Sequence, residues 1–199
     1  DGHLVLRAHR HVVLEAVVAQ LARWPHEDRV PIAVNLSAHT AVNPEIVGTI
    51  TDLLTAHHVD PEHLQVEITE TALVADPTRV IPVLEALDAA GVRVALDDFG
   101  IGQTPIAQLR ALPVDVLKID QLFVADLADE ENGDRARSVI KAMVDLAHSF
   151  GLQVVAEGVE DGTTAANLRS LDVDQAQGFW YSRAVPAEDL VIVTGEVHA

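Results

Sequence analysis

Short apolar runs alternate with longer amphipathic segments along most of the chain. The runs are rich in β-branched residues and predict six strands, at residues 32–34, 64–66, 92–94, 116–117, 154–155 and 173–176. The segments between them have helical periodicity and predict helices at residues 44–57, 76–90, 104–111, 134–150 and 163–171. Strands that alternate with helices in units of about 20–35 residues predict a parallel sheet with helical crossovers.

Residues 4–24, before the first strand, predict a further amphipathic helix. Gly91 and Gly151 follow predicted helices, at the position where a left-handed residue commonly ends a helix. The Asp60-Pro61 pair predicts a turn. The predicted apolar face of the first helix consists of Leu4, Val12, Val13, Ala16, Val17, Leu21 and Trp24.

Polar residues close every predicted strand, and this decides between two α/β architectures. They are Asn35, Glu67, Asp97 with Asp98, Lys118 with Asp120, Glu157 and Gln177. In a TIM-type (β/α)8 barrel all strand carboxyl ends meet on one face, whereas an open doubly wound sheet gathers polar groups only at its switch point. The pattern therefore favours the TIM-type barrel. Because such a barrel has eight strands and about 250 residues, we expect residues 1–199 to be a single domain that is incomplete at its N-terminus.

The chain is acidic and lacks cysteine. Its 31 Asp and Glu residues against 13 Lys and Arg residues give a formal net charge of −18. We expect no DNA or RNA partner, because this surface without a basic cluster repels nucleic acid; adaptation to salt would produce the same charge. The absence of cysteine excludes disulfides and thiolate chemistry. No apolar run approaches the roughly 20 residues of a membrane span, so we expect a cytoplasmic domain, with membrane tethering of the full-length protein left open.

The strand-end residues offer the oxygen ligands that Mg²⁺ and Mn²⁺ prefer. An adjacent aspartate pair can hold two ions about 3.5–4 Å apart, and two such ions can activate water against a phosphodiester. Lys118 would add positive charge beside the reacting oxygens. Taken singly, these residues also have ordinary structural interpretations, as helix caps, solvated carboxylates or a salt-bridge lysine. The ligand candidates are Asn35, Glu67, Asp97, Asp98 and Glu157, while the histidines at 3, 9, 11, 26, 39, 63, 148 and 198 show no ligand spacing.

Six short motifs occur in series between about residues 29 and 186. They are Val34-Asn-Leu-Ser-Ala38, Glu67-Ile-Thr-Glu70, Ala95-Leu-Asp-Asp-Phe-Gly100, Leu117-Lys-Ile-Asp120, Val155-Ala-Glu-Gly-Val-Glu160 and Gln177-Gly178. Together they resemble the successive signature motifs of EAL domains. Those are bacterial phosphodiesterases that open the signalling dinucleotide cyclic di-GMP to linear pGpG with Mg²⁺ or Mn²⁺.

The resemblance implies a role for each motif residue. Asn35 and Glu67 would hold a first metal, Asp97 would bridge both metals, and Asp98 would bind the second. Lys118 would orient the nucleophilic water, and Glu157 would bind metal through water or act as the base. The supporting positions would be Gln177, Glu70 and Glu160, with Glu70 bracing the loop after the aspartate pair. The implied ligand is cyclic di-GMP. EAL domains often form dimers and occur with upstream regulatory domains, so we expect both here.

Two departures from the family pattern affect the expected activity. The Glu-Ala-Leu motif on an earlier strand is missing, and its glutamate is a direct metal ligand, so we expect the first metal site to be compromised. The loop at residues 99–105 carries Ile101, Gln103 and Pro105 where active members usually carry Thr-Gly-Tyr/Phe-Ser-Ser after Phe-Gly. We therefore expect the full-length parent to hydrolyse cyclic di-GMP and the 199-residue chain alone to be weak or inactive. The alternative is a degenerate EAL domain that binds cyclic di-GMP or a protein partner without hydrolysis.

Overall fold

Six strands and nine α-helices make up the described part of the chain. The computed structural model describes residues 2–26, 29–101, 105–129 and 132–190, with side chains from Val12 onward. The strands are β1 (Ile32–Asn35), β2 (Leu64–Thr69), β3 (Arg93–Phe99), β4 (Val116–Ile119), β5 (Gln153–Ala156) and β6 (Gln175–Ala176). The helices are α1 (Gly2–Arg23), α2 (Ala38–Ala41), α3 (Glu45–His57), α4 (Glu70–Ala75), α5 (Pro77–Ala89), α6 (Ile106–Leu109), α7 (Gln121–Ala125), α8 (Gly133–Ser149) and α9 (Gly162–Ser170). Single 3-10 turns cover Pro61–His63, Asp126–Ala128 and Ala187–Asp189.

The strands follow one another in the sheet in chain order, β1-β2-β3-β4-β5-β6. β1 pairs with β2 in parallel, and β5 pairs in parallel with both β4 and β6. Helices connect successive strands, as parallel pairing requires. All six predicted strands are present, and the predicted α/β class with a parallel sheet is confirmed.

The chain divides into two compact units, and β3 contributes residues to both. The first unit comprises Asp1–Ala95 with Leu112–Val114, and the second comprises Leu96–Ala111 with Asp115–Ala199. Every residue of β4 is buried, which is typical of a parallel strand covered on both faces. Fully buried side chains of the first unit include Leu21, Ile50, Leu64, Ile68, Leu84 and Leu87, and those of the second include Leu96, Leu117, Ile119 and Ile140.

Helix α1 forms where the sequence predicts it, but of the predicted apolar face only Leu21 is among the buried residues in the described part of the helix. The buried side chains are Leu14, Val18 and Leu21, at i, i+4 and i+7, whereas Val12 is 61% exposed and Val13 is also exposed. Leu4 has no described side chain. Apolar residues occur around most of this helix, so their spacing allowed more than one face. Packing of α1 against α3 selects the Leu14 face.

The predicted chain turns are confirmed. Gly91 and Gly151 follow α5 and α8 with φ of +81° and +77°, a conformation that glycine adopts without a Cβ penalty. Asp60-Pro61 begins the 3-10 turn Pro61–His63. Helix α6 is shorter than predicted, because Pro105 precedes it in an extended conformation; Thr104, the predicted first residue, lies outside the described residues. No helix in the described ranges combines the length and apolarity that a bilayer crossing requires.

Candidate active site

Asp97 and Asp98 lie near the carboxyl end of β3, inside the strand, so this pair is not a helix cap. Adjacent residues of a regular strand point to opposite faces, but Asp98 has a φ of +57° and leaves the extended conformation. The turn lets both carboxylates join one cluster with Glu157. Ligand oxygens of Asp97, Asp98 and Glu157 all lie within 4.8 Å of one another. The Asp98 amide also donates to Asp97 Oδ1 at 3.0 Å.

Lys118 on β4 places a buried ammonium group between two of these carboxylates. Its Nζ lies 3.1 Å from Asp97 Oδ1 and 2.6 Å from Glu157 Oε1, and the residue is 4% exposed. A buried charge is stable only when it is paired and hydrogen-bonded. The salt-bridge interpretation of Lys118 is therefore correct, and its partners are two of the predicted site residues.

Glu157 directly follows β5, and hydrogen bonds fix both its backbone and its side chain. Its amide donates to the Ile119 carbonyl at 3.2 Å, which extends the pairing of β5 with β4. Gln177 Nε2 donates to Glu157 Oε1 at 2.6 Å. The Gln177 amide donates to the Ala156 carbonyl at 2.9 Å, so the residue after β6 is itself fixed to β5. Gln177 thus donates a hydrogen bond to Glu157, and the supporting role in the site that the family resemblance implies for it stays a prediction.

The carboxylates outnumber the cation beside them. Burial raises the pKa of Asp98, and so do the charge of Asp97 and the hydrogen bond and charge of Asp120, while Lys118 lowers it. Asp120 is a buried residue that also accepts from the Leu122 amide at 2.8 Å and caps α7. The sequence analysis marked Asp120 as a strand-end residue without giving it a role. Asp120 directly follows β4, two residues after Lys118, and this alternate spacing in an extended segment was the available signal.

The cluster of Asp97, Asp98 and Glu157 fits a divalent cation. Oxygens bound to one Mg²⁺ or Mn²⁺ at about 2.1 Å lie about 3–4.2 Å apart, so oxygens within 4.8 Å need only a small closing movement. The single positive charge of Lys118 does not balance the negative charges of Asp97, Asp98 and Glu157. A cation would relieve the repulsion that raises the pKa of Asp98.

Asn35 and Glu67 are brought together in the first unit. They occupy paired positions of the parallel strands β1 and β2, so their side chains share a face of the sheet. Glu67 is buried, and its Oε1 accepts from Gln65 Nε2 at 3.2 Å. Ser37, rather than Asn35, caps α2 by accepting from the Thr40 amide at 3.3 Å.

The remaining predicted residues differ in their surroundings. Glu70 is buried as the first residue of α4, whose cap is the preceding Thr69. Glu160 is exposed between β5 and α9. Ile101, in the altered loop, is 51% exposed. Gln103 and the rest of residues 102–104 lie outside the described residues, so the predicted bracing of this loop by Glu70 stays a prediction.

Gly158 allows the close approach that positions Glu157, and its substitution should be costly. It has a φ of +72°, and an added Cβ would lie 2.6 Å from Gln121 Cβ. Gly158→Ala is expected to lower the free energy of unfolding by roughly 2–4 kcal/mol, from left-handed strain plus overpacking. The matched control is Gly151→Ala, with φ +77° and no atom within 4 Å, which should lower it by about 1 kcal/mol from strain alone. Urea unfolding measures both; equal losses would contradict the steric argument.

Comparisons with known proteins identify the family of this chain. The family model described as EAL domain matches residues 3–184. Cyclic di-GMP phosphodiesterase PdeR from Escherichia coli is 32% identical over 188 residues, 94% of this chain and 28% of PdeR. A structure titled PaMucR phosphodiesterase, c-di-GMP complex has a TM-score of 0.87 and 34% identity, covering 96% of this chain and 76% of that one. A manganese and cyclic di-GMP complex of Klebsiella pneumoniae BlrP1 has a TM-score of 0.73 and 28% identity, covering 83% of this chain and 41% of that one.

The comparisons settle the fold and the family. The chain spans about a quarter of the length of the curated relatives it matches. Its likeness to the solved EAL structures confirms the TIM-type α/β fold. The family match covers most of the sequence and includes all six motifs, from residue 34 to residue 178. The chain therefore belongs to the EAL domain family.

Proposed function

We propose that this domain hydrolyses one phosphodiester bond of cyclic di-GMP to give linear pGpG, with Mg²⁺ or Mn²⁺ held by Asp97, Asp98 and Glu157. The observation that carries the proposal is the buried Lys118 ammonium within 3.1 Å of Asp97 and 2.6 Å of Glu157. Three carboxylates that converge on one point beside a buried cation suit phosphoryl chemistry better than they suit folding, because their mutual repulsion costs stability. Family membership and the names of the relatives support cyclic di-GMP as the substrate.

The divalent cation, when bound, would offset the negative charge that develops on the phosphate and would make a water molecule more acidic. Lys118 donates hydrogen bonds from a fixed position, so it would orient the attacking water. Glu157 would accept one proton from that water. The water oxygen forms the new bond to phosphorus, the bond from phosphorus to the 3′-oxygen breaks, and the 3′-oxygen leaves with a proton. Gln177 keeps the Glu157 carboxylate in place through its 2.6 Å hydrogen bond.

Asn35 and Glu67 enter the proposal through the family resemblance. Both offer oxygen ligands, and their paired positions on β1 and β2 give them a common face. We therefore propose them as further metal ligands, with Glu70 and Glu160 as supporting carboxylates. Dimerisation and upstream regulatory domains stay predictions of the same resemblance.

The second candidate function is binding of cyclic di-GMP, or of a protein partner, without hydrolysis. The altered loop favours it, because exposed Ile101 stands where active members carry a hydroxyl. A change in this loop would weaken turnover without altering the fold.

One experiment separates the two functions. The 199-residue chain and the full-length gene product are incubated with cyclic di-GMP and Mn²⁺, and pGpG is followed by chromatography. The phosphodiesterase proposal expects product that disappears with EDTA and returns with added Mn²⁺. Undiminished product in EDTA would overturn the metal mechanism. Calorimetric binding of cyclic di-GMP with no product after long incubation would favour the second candidate, and absence of binding would leave only a protein-interaction role.

A further inference from the structure

Three side chains with metal-ligating atoms meet at the end of the first unit opposite to Asn35 and Glu67. They are His26, Asp60 and His63, and a ligand atom from each lies within 4.8 Å of the other two. His63 immediately precedes β2, whereas Glu67 is the fourth residue of that strand. At about 3.3 Å per residue the strand places about 13 Å between the two positions. This cluster is therefore separate from Asn35 and Glu67.

Local structure presents Asp60 and His63 on the same side of their turn. Asp60 precedes the 3-10 turn Pro61–His63, and the His63 amide donates to the Asp60 carbonyl at 3.1 Å. A hydrogen bond from residue i+3 to residue i closes a turn that brings its first and fourth residues close together. Pro61 restricts the backbone and packs near Gly91. The pair is thus preorganised by residues outside the cluster.

His26 approaches this pair from the segment that follows α1. Its Nε2 lies 3.2 Å from Asp60 Oδ2, and its ring meets that of His63 edge to face, with centroids 6.0 Å apart. Ligands of a tetrahedral Zn²⁺ at 2.0–2.1 Å are about 3.3 Å apart, which agrees with the distance from His26 to Asp60. The backbone of this segment is held by Arg29, whose Nε donates to the Trp24 carbonyl at 3.2 Å.

A second, independent indication of a ligand at this cluster comes from the Nε2 atom of His63. It is buried and makes no hydrogen bond among the described residues. An unsatisfied buried polar atom costs about 1–3 kcal/mol, and a metal ion is one of the partners that would satisfy it. A surface His–Asp pair alone would leave this nitrogen unexplained.

We propose that His26, Asp60 and His63 form a binding site for a borderline divalent transition metal, with Zn²⁺ as the best match. Two imidazoles and one carboxylate suit zinc, nickel or copper, whereas an all-oxygen site suits Mg²⁺ or Mn²⁺. Three protein ligands leave a fourth position for water or for a ligand from another molecule. His26 and His63 are 37 positions apart in the sequence, so no short spacing motif identifies the site.

The test titrates Zn²⁺ by calorimetry into the 199-residue chain from which transition metals have been removed. The buffer contains excess Mg²⁺, so that Mg²⁺ occupies the carboxylate cluster. The informative variants are His26→Gln and His63→Gln. The matched control is His148→Gln, because His148 Nε2 also pairs with an aspartate, Asp174, at 2.9 Å but joins no group of three metal-ligating side chains within the described ranges. The proposal expects one Zn²⁺ that both informative variants lose, or bind at least about tenfold more weakly, and that the control retains. Zn²⁺ should also raise the Tm of the wild type and the control only.

Unchanged zinc affinity in His26→Gln would overturn the proposal. His26 is 72% exposed, so this substitution should leave folding intact and is decisive even if His63→Gln fails to fold. A Co²⁺ spectrum gives a second readout, since its d–d bands should report imidazole ligation in the wild type and disappear in His26→Gln. These readouts do not involve cyclic di-GMP, so their failure would leave the phosphodiesterase proposal untouched.

Discussion

Lys118→Met should lower the free energy of unfolding by about 3 kcal/mol in metal-free buffer. The substitution keeps the length of the side chain but removes the ammonium between Asp97 and Glu157, whose side chains are only 12% and 18% exposed. Breaking a buried pair by removing one partner costs roughly 3–5 kcal/mol, because the other charge stays buried and uncompensated. The low end applies here because the two carboxylates keep some contact with water. Urea unfolding in EDTA measures the loss.

The chain offers a matched control, since Lys118 and Lys141 are its only lysines. Lys141 pairs with Asp145 at 2.6 Å and Asp172 at 3.4 Å on an exposed surface, where such pairs contribute little. Lys141→Met should therefore leave stability almost unchanged. Mn²⁺ should reduce the loss in Lys118→Met, because a cation bound to Asp97, Asp98 and Glu157 replaces the missing positive charge. Equal stability of the two variants in EDTA, or no effect of Mn²⁺, would contradict the proposed electrostatics.

Asp97→Asn should reduce the rate of pGpG formation by at least about 100-fold. The carboxylate is one of the three that would hold the divalent cation, and Lys118 Nζ lies 3.1 Å from its Oδ1. An amide has nearly the same shape but lacks the charge that holds a hard cation. Loss of a residue that only hydrogen-bonds to a metal ligand typically lowers metal affinity or activity by about 10–100-fold. Loss of a direct ligand should therefore lower the rate further. The measurement is the rate at saturating cyclic di-GMP and Mn²⁺.

Asp145→Asn is the control for this prediction. It removes one carboxylate from an exposed helix position that pairs only on the surface with Lys141, and it should retain the full rate. Calorimetry should show that Asp97→Asn still binds cyclic di-GMP when a divalent cation is present. Retained binding would show that the variant is folded and that the lower rate reflects a loss of catalysis. A rate within tenfold of the wild type would remove Asp97 from the metal site.

Much of the fold could be predicted because the signals involved are local. β-Branched runs placed all six strands, and left-handed glycines after α5 and α8 marked two helix ends. The face of α1 could not be predicted, because apolar residues surround that helix and only contact with α3 selects Leu14, Val18 and Leu21. The short helices α2, α4 and α7 were also missed. Each spans only one or two turns, too few to show a helical period.

The positions of the candidate site residues could be predicted to the extent that these residues end strands, while their roles stay predictions. Lys118, Glu157 and Gln177 were identified from position and motif, and the structure joins them by hydrogen bonds and an ion pair. Asp120 received no role, because its effect on the pKa of Asp98 depends on contact between β3 and β4. His26 and His63 looked unrelated, since their proximity arises only when the segment after α1 meets the turn before β2.

By itself, the amino-acid order determined the alternation of strands and helices, the polar residue at each strand end and the EAL motifs, because these depend on neighbours along the chain. Tertiary structure alone decided which face of α1 is packed, how Asp97 and Asp98 meet Glu157, and which histidines meet Asp60. Those outcomes depend on distances between residues far apart in sequence, which are set when apolar side chains pack and each buried charge finds its partner.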